Sequence, residues 1–296
     1  MKKCFLVLIA LGCILISCQE VVDADKLLDT EEKVLIVSYL SPNDTILRVH
    51  VSKALPSIGT PLSVTDNEAN ENKFLIKNAS VSISNNDGES IFLEYSDDLR
   101  SYISNAENLS IETGQEYFLN VMIDGRVYNA SCTIPKKVLE INETITVDEN
   151  NEFGGEFLNI NINFQDIEGE RNFYAMGGKV LFTQQLEGEE PFEGEFSLLF
   201  EPNEFVTDNL ADGILFNGST GFFIGDSDVF TTSVVTLQVI NMEEVLYDNL
   251  QATLNNEDVD GDPFIEYRIS PNNILDEGAI GVFAGYNMIQ KSIELQ

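Results

Sequence analysis

The acidic turn Asp258-Val259-Asp260-Gly261-Asp262 is the sharpest chemical signal in the sequence. Alternate carboxylates on a glycine-containing turn can bring several oxygen atoms to one hard cation, as calcium-binding loops do. The EF-hand pattern is not met, because Ile269 stands where a bidentate acid would be required, although Glu266 could contribute. The turn therefore has two interpretations, a calcium site formed by its three aspartates or a solvated acidic turn after a helix.

Patterns that would indicate catalysis are weaker. The stretch from Glu187 to Glu195 contains five acids, and paired carboxylates can hydrolyse glycosides, but acids are so frequent here that a pair is expected by chance. His50 is the only histidine and lies on the polar face of a predicted strand, whereas a serine hydrolase needs its histidine in a cleft. A histidine-based metal site would need a second histidine nearby. We therefore predict that the protein is not an enzyme, with a hydrolase as the least favoured alternative.

The charge of the chain is strongly one-sided. It has 50 Asp and Glu residues against 16 Lys and Arg, for a formal net charge of −34, and no basic residue lies between Val180 and Tyr267. Such a surface repels nucleic acid and anionic head groups, so no nucleic-acid partner is expected. It would attract divalent cations or a basic partner, or it forms a solvated coat that keeps a surface protein soluble.

The first residues have the pattern of an export signal. A short positive start, Met1-Lys2-Lys3, precedes an apolar stretch from Cys4 to Ile16, which is shorter than the roughly 20 residues that span a bilayer. The following step, Leu15-Ile16-Ser17-Cys18, resembles the lipobox of bacterial lipoproteins. The resemblance implies a signal peptide of residues 1–17, cleavage before Cys18 and lipidation of Cys18. The alternative is an ordinary secretory signal with a chance cysteine.

The residues after Cys18 bear on location. Glu20, Asp23 and Asp25 resemble the acidic export signal that sends Bacteroidota lipoproteins to the outer face of the outer membrane. That resemblance implies a protein anchored in the outer membrane and facing the cell exterior; a lipoprotein facing the periplasm is the alternative. No later segment approaches a membrane span, so the N-terminal lipid is the expected contact with the bilayer.

The cysteines predict no intramolecular disulfide. Cys4 and Cys13 leave with the signal peptide and Cys18 carries lipid, which leaves Cys132 alone. Cys132 shares the apolar face of its predicted strand with Ala130 and other apolar residues. We therefore expect a small buried core residue and not a nucleophile.

An apolar content of 43% with 19 phenylalanines is sufficient for packed cores, and the pattern of apolar residues has a period of two. We predict an all-β protein of two domains: a tether at 18–32, a β-sandwich at 33–135, and a second β-rich domain with one helix at 136–296. The boundary falls at Pro135 to Lys137, and the helix runs from Met242 to Leu254, ended by Asn255-Asn256. Strands are predicted at 34–40, 46–52, 79–84, 91–95, 117–123, 126–134, 157–164, 172–183, 195–200, 221–224 and 231–241, with a last β unit at 278–293.

Turn signals support the sandwich in the first half. Asn85-Asn86-Asp87-Gly88 and Asp124-Gly125 separate short strands at regular spacing, as in sandwiches of about 100 residues. The run from Thr113 to Pro135 resembles the ends of immunoglobulin-like or transthyretin-like lipoprotein domains, so we expect that type of sandwich.

The stretch from Asp260 to Tyr286 resembles part of a known family, and this resemblance extends over more of the chain than the others do. It is similar to the closing motif of a Bacteroidota lipoprotein family, the domain-of-unknown-function family 4249, and Phe205 to Gly213 resembles a family Phe-x-x-Asp step. Ala279 stands where that family more often has Gly, and Tyr267 where it often has Pro. The motif is carried by Asp262, Pro263, Phe264, Glu266, Asn273, Ile274, Gly281, Phe283, Gly285 and Tyr286.

The resemblance implies no catalytic residue, because the family has no established activity. Its genes commonly neighbour TonB-dependent outer-membrane transporters. We therefore expect a non-enzymatic accessory that captures or retains a ligand for such a transporter, without a cofactor unless calcium binds. The alternative is a structural or adhesive cell-surface protein.

Overall fold

The computed structural model describes residues 32–54, 72–148, 156–186, 188–225, 230–258 and 268–295. In these ranges the chain is mostly β-strand, which confirms the all-β prediction, with the helix α1 at Glu244–Asp258. The strands are β1 Val34–Leu40, β2 Ile46–Lys53, β3 Ser80–Asn85, β4 Ser90–Ser96, β5 Ser101–Asn105, β6 Glu116–Ile123, β7 Arg126–Thr133, β8 Asn142–Asp148, β9 Glu156–Gln165, β10 Phe173–Gln184, β11 Phe192–Leu199, β12 Phe205–Thr207, β13 Leu215–Gly225, β14 Phe230–Met242 and β15 Ala279–Glu294.

Twelve of these strands form one sheet with the order β11-β10-β14-β15-β1-β2-β5-β4-β3-β6-β7, with β12 paired to β10. Strand β15 lies parallel to β1 and antiparallel to β14, while the neighbouring pairs in each half are antiparallel. A second sheet has the order β13-β9-β8. The last strand of the chain therefore joins the first half of the sequence to the second within a single sheet.

Alternating residue type explains why one face of each strand is buried. In β2, Leu47, Val49 and Val51 are at most 1% exposed, and the residues between them face outwards or lie at the margin. In β6 the same alternation buries Leu119 and Val121. Full burial of one such side chain contributes about 2 kcal/mol to folding, so a slip of one residue in register would expose the whole apolar set.

The apolar side chains form three cores. The first core is formed by side chains of β1 to β7 and includes Phe283 of β15. Residues 273–275 run beside β7 and add Ile274 to this core. The second core lies between the three-stranded sheet and β10, β11 and β14, and Ile289 and Ile293 of β15 pack against it. The third core lies under α1 on the opposite face of β15, with Val282 and Ala284.

Sandwich-like packing is therefore present in both halves. The predicted domain boundary at Pro135 to Lys137 falls where the first and second cores meet, and β15 contributes side chains to both. The division into two domains, at 33–135 and 136–296, stays a prediction.

Most predicted strands are confirmed to within a few residues, and the differences have local causes. The helix extends past the predicted stop at Asn255-Asn256 to Asp258, since the Asn255 side-chain amide bonds to the Gln251 carbonyl instead of capping the end. The predicted strand at 221–224 is the end of the longer β13. Sequence reasoning missed β5 and β8, because β5 is short with two successive buried residues and β8 is mostly exposed.

Two motif glycines allow the close approach of β15 to its neighbours. Gly281 has φ +137°, and a Cβ there would lie 1.8 Å from the Ile36 carbonyl oxygen of β1. At Gly285 a Cβ would lie 2.4 Å from the carbonyl oxygen of Thr133, at the end of β7. Any larger side chain must displace backbone at these two points.

We expect the substitution Gly285→Ala to lower the free energy of unfolding by about 1–3 kcal/mol, because overpacking against backbone cannot be relieved by a side-chain rotation. Gly177→Ala is the matched control, since a Cβ there meets nothing within 4 Å. Urea unfolding of both variants measures the difference. Equal stability of the two would show that the approach at Gly285 is not constraining.

Candidate functional site

The motif residue Asn273 joins three segments of backbone. Its Oδ1 accepts from the Phe283 N–H at 2.9 Å, and its Nδ2 donates to the Phe283 carbonyl at 2.7 Å and to the Ser131 carbonyl of β7 at 3.3 Å. The neighbouring Ile274 is buried in the first core. Asn273 therefore holds the segment before β15 between β15 and the edge of β7.

The motif residue Tyr286 reaches back to the first half of the chain. Its hydroxyl donates to Asp44 Oδ1 at 2.9 Å, and the Ser41 N–H donates to Asp44 Oδ2 at 2.8 Å. Burial and the Asp44 carboxylate raise the pKa of Tyr286, and burial raises the pKa of Asp44. The phenol therefore remains a donor at neutral pH, which fixes the β1–β2 turn on β15.

Glu243, just before α1, connects β7 and β15 through its carboxylate. Its Oε1 accepts from the Thr133 N–H at 2.8 Å, and its Oε2 accepts from the Gly285 N–H at 2.7 Å. Its own N–H donates to the Gly285 carbonyl at 3.1 Å. Burial raises the pKa of Glu243 above its usual range, and the two backbone donors oppose that rise.

Two buried asparagines hold the segment that leaves β7. Nδ2 of Asn287 donates to the Pro135 carbonyl at 3.1 Å, and Nδ2 of Asn241 donates to the Lys136 carbonyl at 3.0 Å. Both side chains are at most 2% exposed. Sequence reasoning missed the roles of these residues and of Glu243, because isolated Asn and Glu residues within or beside strands form no motif.

A cleft of about 550 Å³ opens beside the start of α1. Two of its acids are paired, Glu170 with Lys136 at 3.2 Å and Glu244 with Arg171 at 2.9 Å. Its described lining residues include no His, Cys or Ser that could act as a nucleophile or base. Carboxylates, a guanidinium and amides suit the binding of a polar ligand. The lining is Thr133, Pro135, Glu170, Arg171, Asn172, Phe173, Asn241, Met242, Glu243, Glu244, Val245, Asp248 and Pro271.

Three aspartates from two loops meet near the second core: Asp166 follows β9, and Asp208 and Asp212 lie in the loop between β12 and β13. One oxygen from each of Asp166, Asp208 and Asp212 lies within 4.8 Å of the others, which is a spacing that could hold a metal ion. Asp208 is the acid of the Phe-x-x-Asp step beginning at Phe205, which is the one signal in the sequence that pointed to this group.

Protein donors already satisfy the three carboxylates in part. Asp166 accepts from the Tyr174 hydroxyl at 2.7 Å and the Gly213 N–H at 2.8 Å. The N–H groups of Asn172 and Gly169 donate to Asp208 and Asp212, respectively. Burial and Asp166 raise the pKa of Tyr174, which keeps its proton available for this bond. The group therefore connects the loop between β9 and β10 to the loop between β12 and β13.

The residues predicted for calcium are not placed by the structure. Asp260 and Asp262 lie outside the described residues, as do the motif residues Pro263 and Phe264, and Asp258 is the last residue of α1. Cys18, the predicted lipidation site, also lies outside them. Calcium binding and lipidation therefore stay predictions.

His50 and Cys132 do not form a catalytic arrangement with each other. His50 is half-buried on β2, and burial lowers its pKa. Cys132 is 2% exposed in the first core, as expected, and burial raises the pKa of its thiol. Thiol reactivity depends on the thiolate, so this environment makes Cys132 unreactive at neutral pH.

The described acids from 189 to 195 are spread along an exposed edge of the sheet. Glu195 on β11 pairs with Lys179 on β10 at 3.0 Å, and Glu189, Glu190 and Glu193 face solvent. None of these described acids lines the cleft beside α1. None of the helical segments in the described ranges has the length and apolar character that a membrane crossing requires.

The fold defines an all-β, sandwich-like protein, and comparison with known proteins identifies its family. The model of the family described as Domain of unknown function (DUF4249) matches residues 20–292. The chain belongs to this family, which confirms the resemblance seen in the motif. No curated protein matches the chain.

Two solved structures show distant likenesses to the chain. The chain is similar to the full-length major pilin SpaD from Corynebacterium diphtheriae at 8% identity and a TM-score of 0.18, over 72% of this chain and 62% of the pilin. It is similar to the C-terminal globular domain of an oligosaccharyltransferase from Pyrococcus abyssi at 10% identity and a TM-score of 0.14, over 89% of this chain and 47% of that one. The chain spans less than two thirds of the length of each of these two proteins, and neither likeness indicates a function.

If calcium binds at Asp258, Asp260 and Asp262, we expect a chelator to lower the melting temperature, because a cation at 100-fold excess over its dissociation constant stabilises the fold by about 3 kcal/mol. Asp260→Ala should abolish the difference between melts with calcium and with chelator. Asp212→Ala, which removes an acid from the other aspartate group, should leave that difference intact. An unchanged wild-type melt with and without chelator would contradict the calcium hypothesis.

Proposed function

We propose that the protein is a bacterial lipoprotein, anchored in the outer membrane through Cys18 and facing the cell exterior. The observation that carries this proposal is the Leu15-Ile16-Ser17-Cys18 step behind a short apolar stretch that follows Lys2-Lys3. The acids at Glu20, Asp23 and Asp25 support an exterior location. A diacylglycerol and an N-acyl chain supply more than the single chain that gives only marginal membrane binding.

Its proposed role is to capture or retain a ligand for a TonB-dependent transporter, without catalysing a reaction. Two features support a binding role. The first is a frame in which Asn273 and Tyr286 donate, and the Glu243 carboxylate accepts, hydrogen bonds that connect separate strands. The second is the set of turns that this frame presents, since loops on a rigid scaffold are the usual place for recognition. The tendency of this family's genes to neighbour transporter genes supports the choice of partner.

Tethering and charge both favour such a partnership. A binding protein held in the plane of the membrane has a raised effective concentration at any barrel beside it, so a weak contact is sufficient. The acidic body, with no basic residue from Val180 to Tyr267, would steer a cation or a basic loop towards the contact.

Lipidation is tested by the substitution Cys18→Ser, which should release the protein from the membrane fraction because no acyl chain can then be attached. Cys132→Ala is the control and should stay membrane-bound. Protease added to intact cells should degrade the wild type if it faces the exterior. Retention of Cys18→Ser in the detergent phase would overturn the lipoprotein proposal, and complete protection until lysis would indicate a periplasmic orientation.

The transporter partnership is tested by purifying the native lipoprotein from membranes solubilised in detergent. We expect a TonB-dependent barrel to co-purify, and we expect deletion of either protein to impair uptake of the same nutrient. A preparation without a barrel, together with normal uptake by the neighbouring transporter after deletion, would refute the partnership and favour the adhesive alternative.

A further inference from the structure

The outer face of β4, β3, β6 and β7 differs in chemistry from the rest of the molecule. Residues such as Val81, Ile83 and Leu119 point into the first core, so the residues between them point outwards. Eleven outward residues on these strands, here called the neutral face, are uncharged, and the outward residues Glu94 on β4 and Glu116 on β6 border them. The eleven are Ser80, Ser82, Ser84, Ser90, Phe92, Phe118, Asn120, Met122, Val127, Asn129 and Ser131.

The strand registers place these residues side by side. Ser82 on β3 pairs with Phe92 on β4 and with Asn120 on β6, and Asn120 pairs with Asn129 on β7. Neighbouring strands are about 4.8 Å apart, so this row crosses roughly 14 Å of sheet. Phe92 is 71% exposed, so its ring is accessible to a ligand at the surface of this row.

A shallow groove of about 780 Å³ continues from this row towards β5 and β2. Phe92 belongs to both the row and the groove, and Ile46 and Ile103 extend the apolar floor. Asn105, Ser104 and Asn108 supply amide and hydroxyl groups along the groove, and Glu94 is its one charged lining residue. An apolar floor with a few polar groups is typical of ligand sites, and the open shape suits a chain that continues beyond the groove.

The amides at the other end of the row are held in place. Nδ2 of Asn120 donates to Oδ1 of Asn129 at 2.8 Å. Their remaining atoms, Oδ1 of Asn120 and Nδ2 of Asn129, make no hydrogen bond with any described residue. One acceptor and one donor therefore stand fixed side by side at the surface, which matches a group such as a hydroxyl that both donates and accepts.

We propose that the neutral face and the adjoining groove bind an uncharged polysaccharide, laid across β5, β4, β3, β6 and β7. This inference rests on the proposed ligand-capture function and names its ligand class. Sugar rings combine an apolar C–H face, which Phe92 and Ile46 can contact, with hydroxyl groups, which the amides and serines can bind. Acidic polysaccharides are excluded by repulsion from the net charge of −34.

A protein partner fits this surface less well. Protein interfaces are enriched in Tyr, Trp and Arg at their energetic centres and depleted in Ser. The neutral face contains five serines and no Tyr, Trp or Arg, against Phe92, Phe118 and Met122, which are of types that protein interfaces also favour. Its side chains therefore resemble a surface for hydroxyl-rich ligands more than a surface for another protein.

The test uses the full-length lipidated protein in lauryldimethylamine oxide, a detergent without a sugar head group that could compete. Affinity electrophoresis would be run in gels containing a neutral α-glucan, β-glucan, α-mannan, galactan or xylan. The acidic polymers alginate and polygalacturonate serve as charged counterparts. We expect retardation by at least one neutral polymer and by neither acidic one.

The variant Phe92→Ala should weaken that retardation at least tenfold, and it should fold normally because Phe92 is exposed. Leu210→Ala is the control, since Leu210 is fully exposed elsewhere on the surface and should bind as the wild type does. Absence of binding to every neutral polymer, binding to the acidic polymers, or wild-type affinity of Phe92→Ala would each overturn the proposal.

A further arm separates this proposal from the transporter partnership. If a barrel co-purifies with Phe92→Ala as it does with the wild type, the transporter partnership does not depend on the neutral face. Loss of the barrel from Phe92→Ala, without any polysaccharide binding by the wild type, would show that the face docks a protein and would overturn the polysaccharide proposal alone. Polysaccharide binding without any co-purifying barrel would refute only the partnership.

Discussion

The close crossing of the segment after β7 over strand β15 is the constraint on which the rest of the structure depends. At this point the Thr133 carbonyl lies so near Gly285 that no Cβ fits between them, and Glu243 accepts hydrogen bonds from the backbone of both. The part of β15 that precedes the crossing along the chain contributes to the first core, and the part that follows it contributes to the second. Because one strand is shared, the position of each half depends on contacts made here.

The crossing also explains why polar residues are buried in its vicinity. Backbone that passes over a sheet cannot join a strand ladder, so its carbonyls need side-chain donors. Asn241 and Asn287 supply those donors, and Asn273 does the same on the other side of β15. Removal of one of these side chains would leave a buried backbone carbonyl unpaired, at a cost of about 1–3 kcal/mol. The motif residues that the structure describes are thus placed to maintain the architecture.

Much of the fold was predictable from the sequence, because buried strands such as β2 and β6 show a regular alternation of apolar and polar residues. Gly281, Gly285, Asn273 and Tyr286 could be singled out only by family resemblance, since nothing local shows which strand they approach. The pairing of β15 with β1 was not predictable, because the partners lie at opposite ends of the chain. The same holds for the neutral face, whose serines, asparagines and Phe92 come from four strands and acquire a common surface only through register.

Glu243 holds the crossing together, and hydrogen exchange of the native protein tests this role most directly. Glu243→Gln keeps the size of the side chain but offers one acceptor atom where the carboxylate offers two, so one of the Thr133 and Gly285 amides must lose its partner. We predict faster exchange at these two amides. We also predict that the cores of both halves lose protection to a similar extent, as measured at the amides of Val49 and Leu237. Exchange that is unchanged at Thr133 and Gly285, or loss of protection confined to one half, would contradict it.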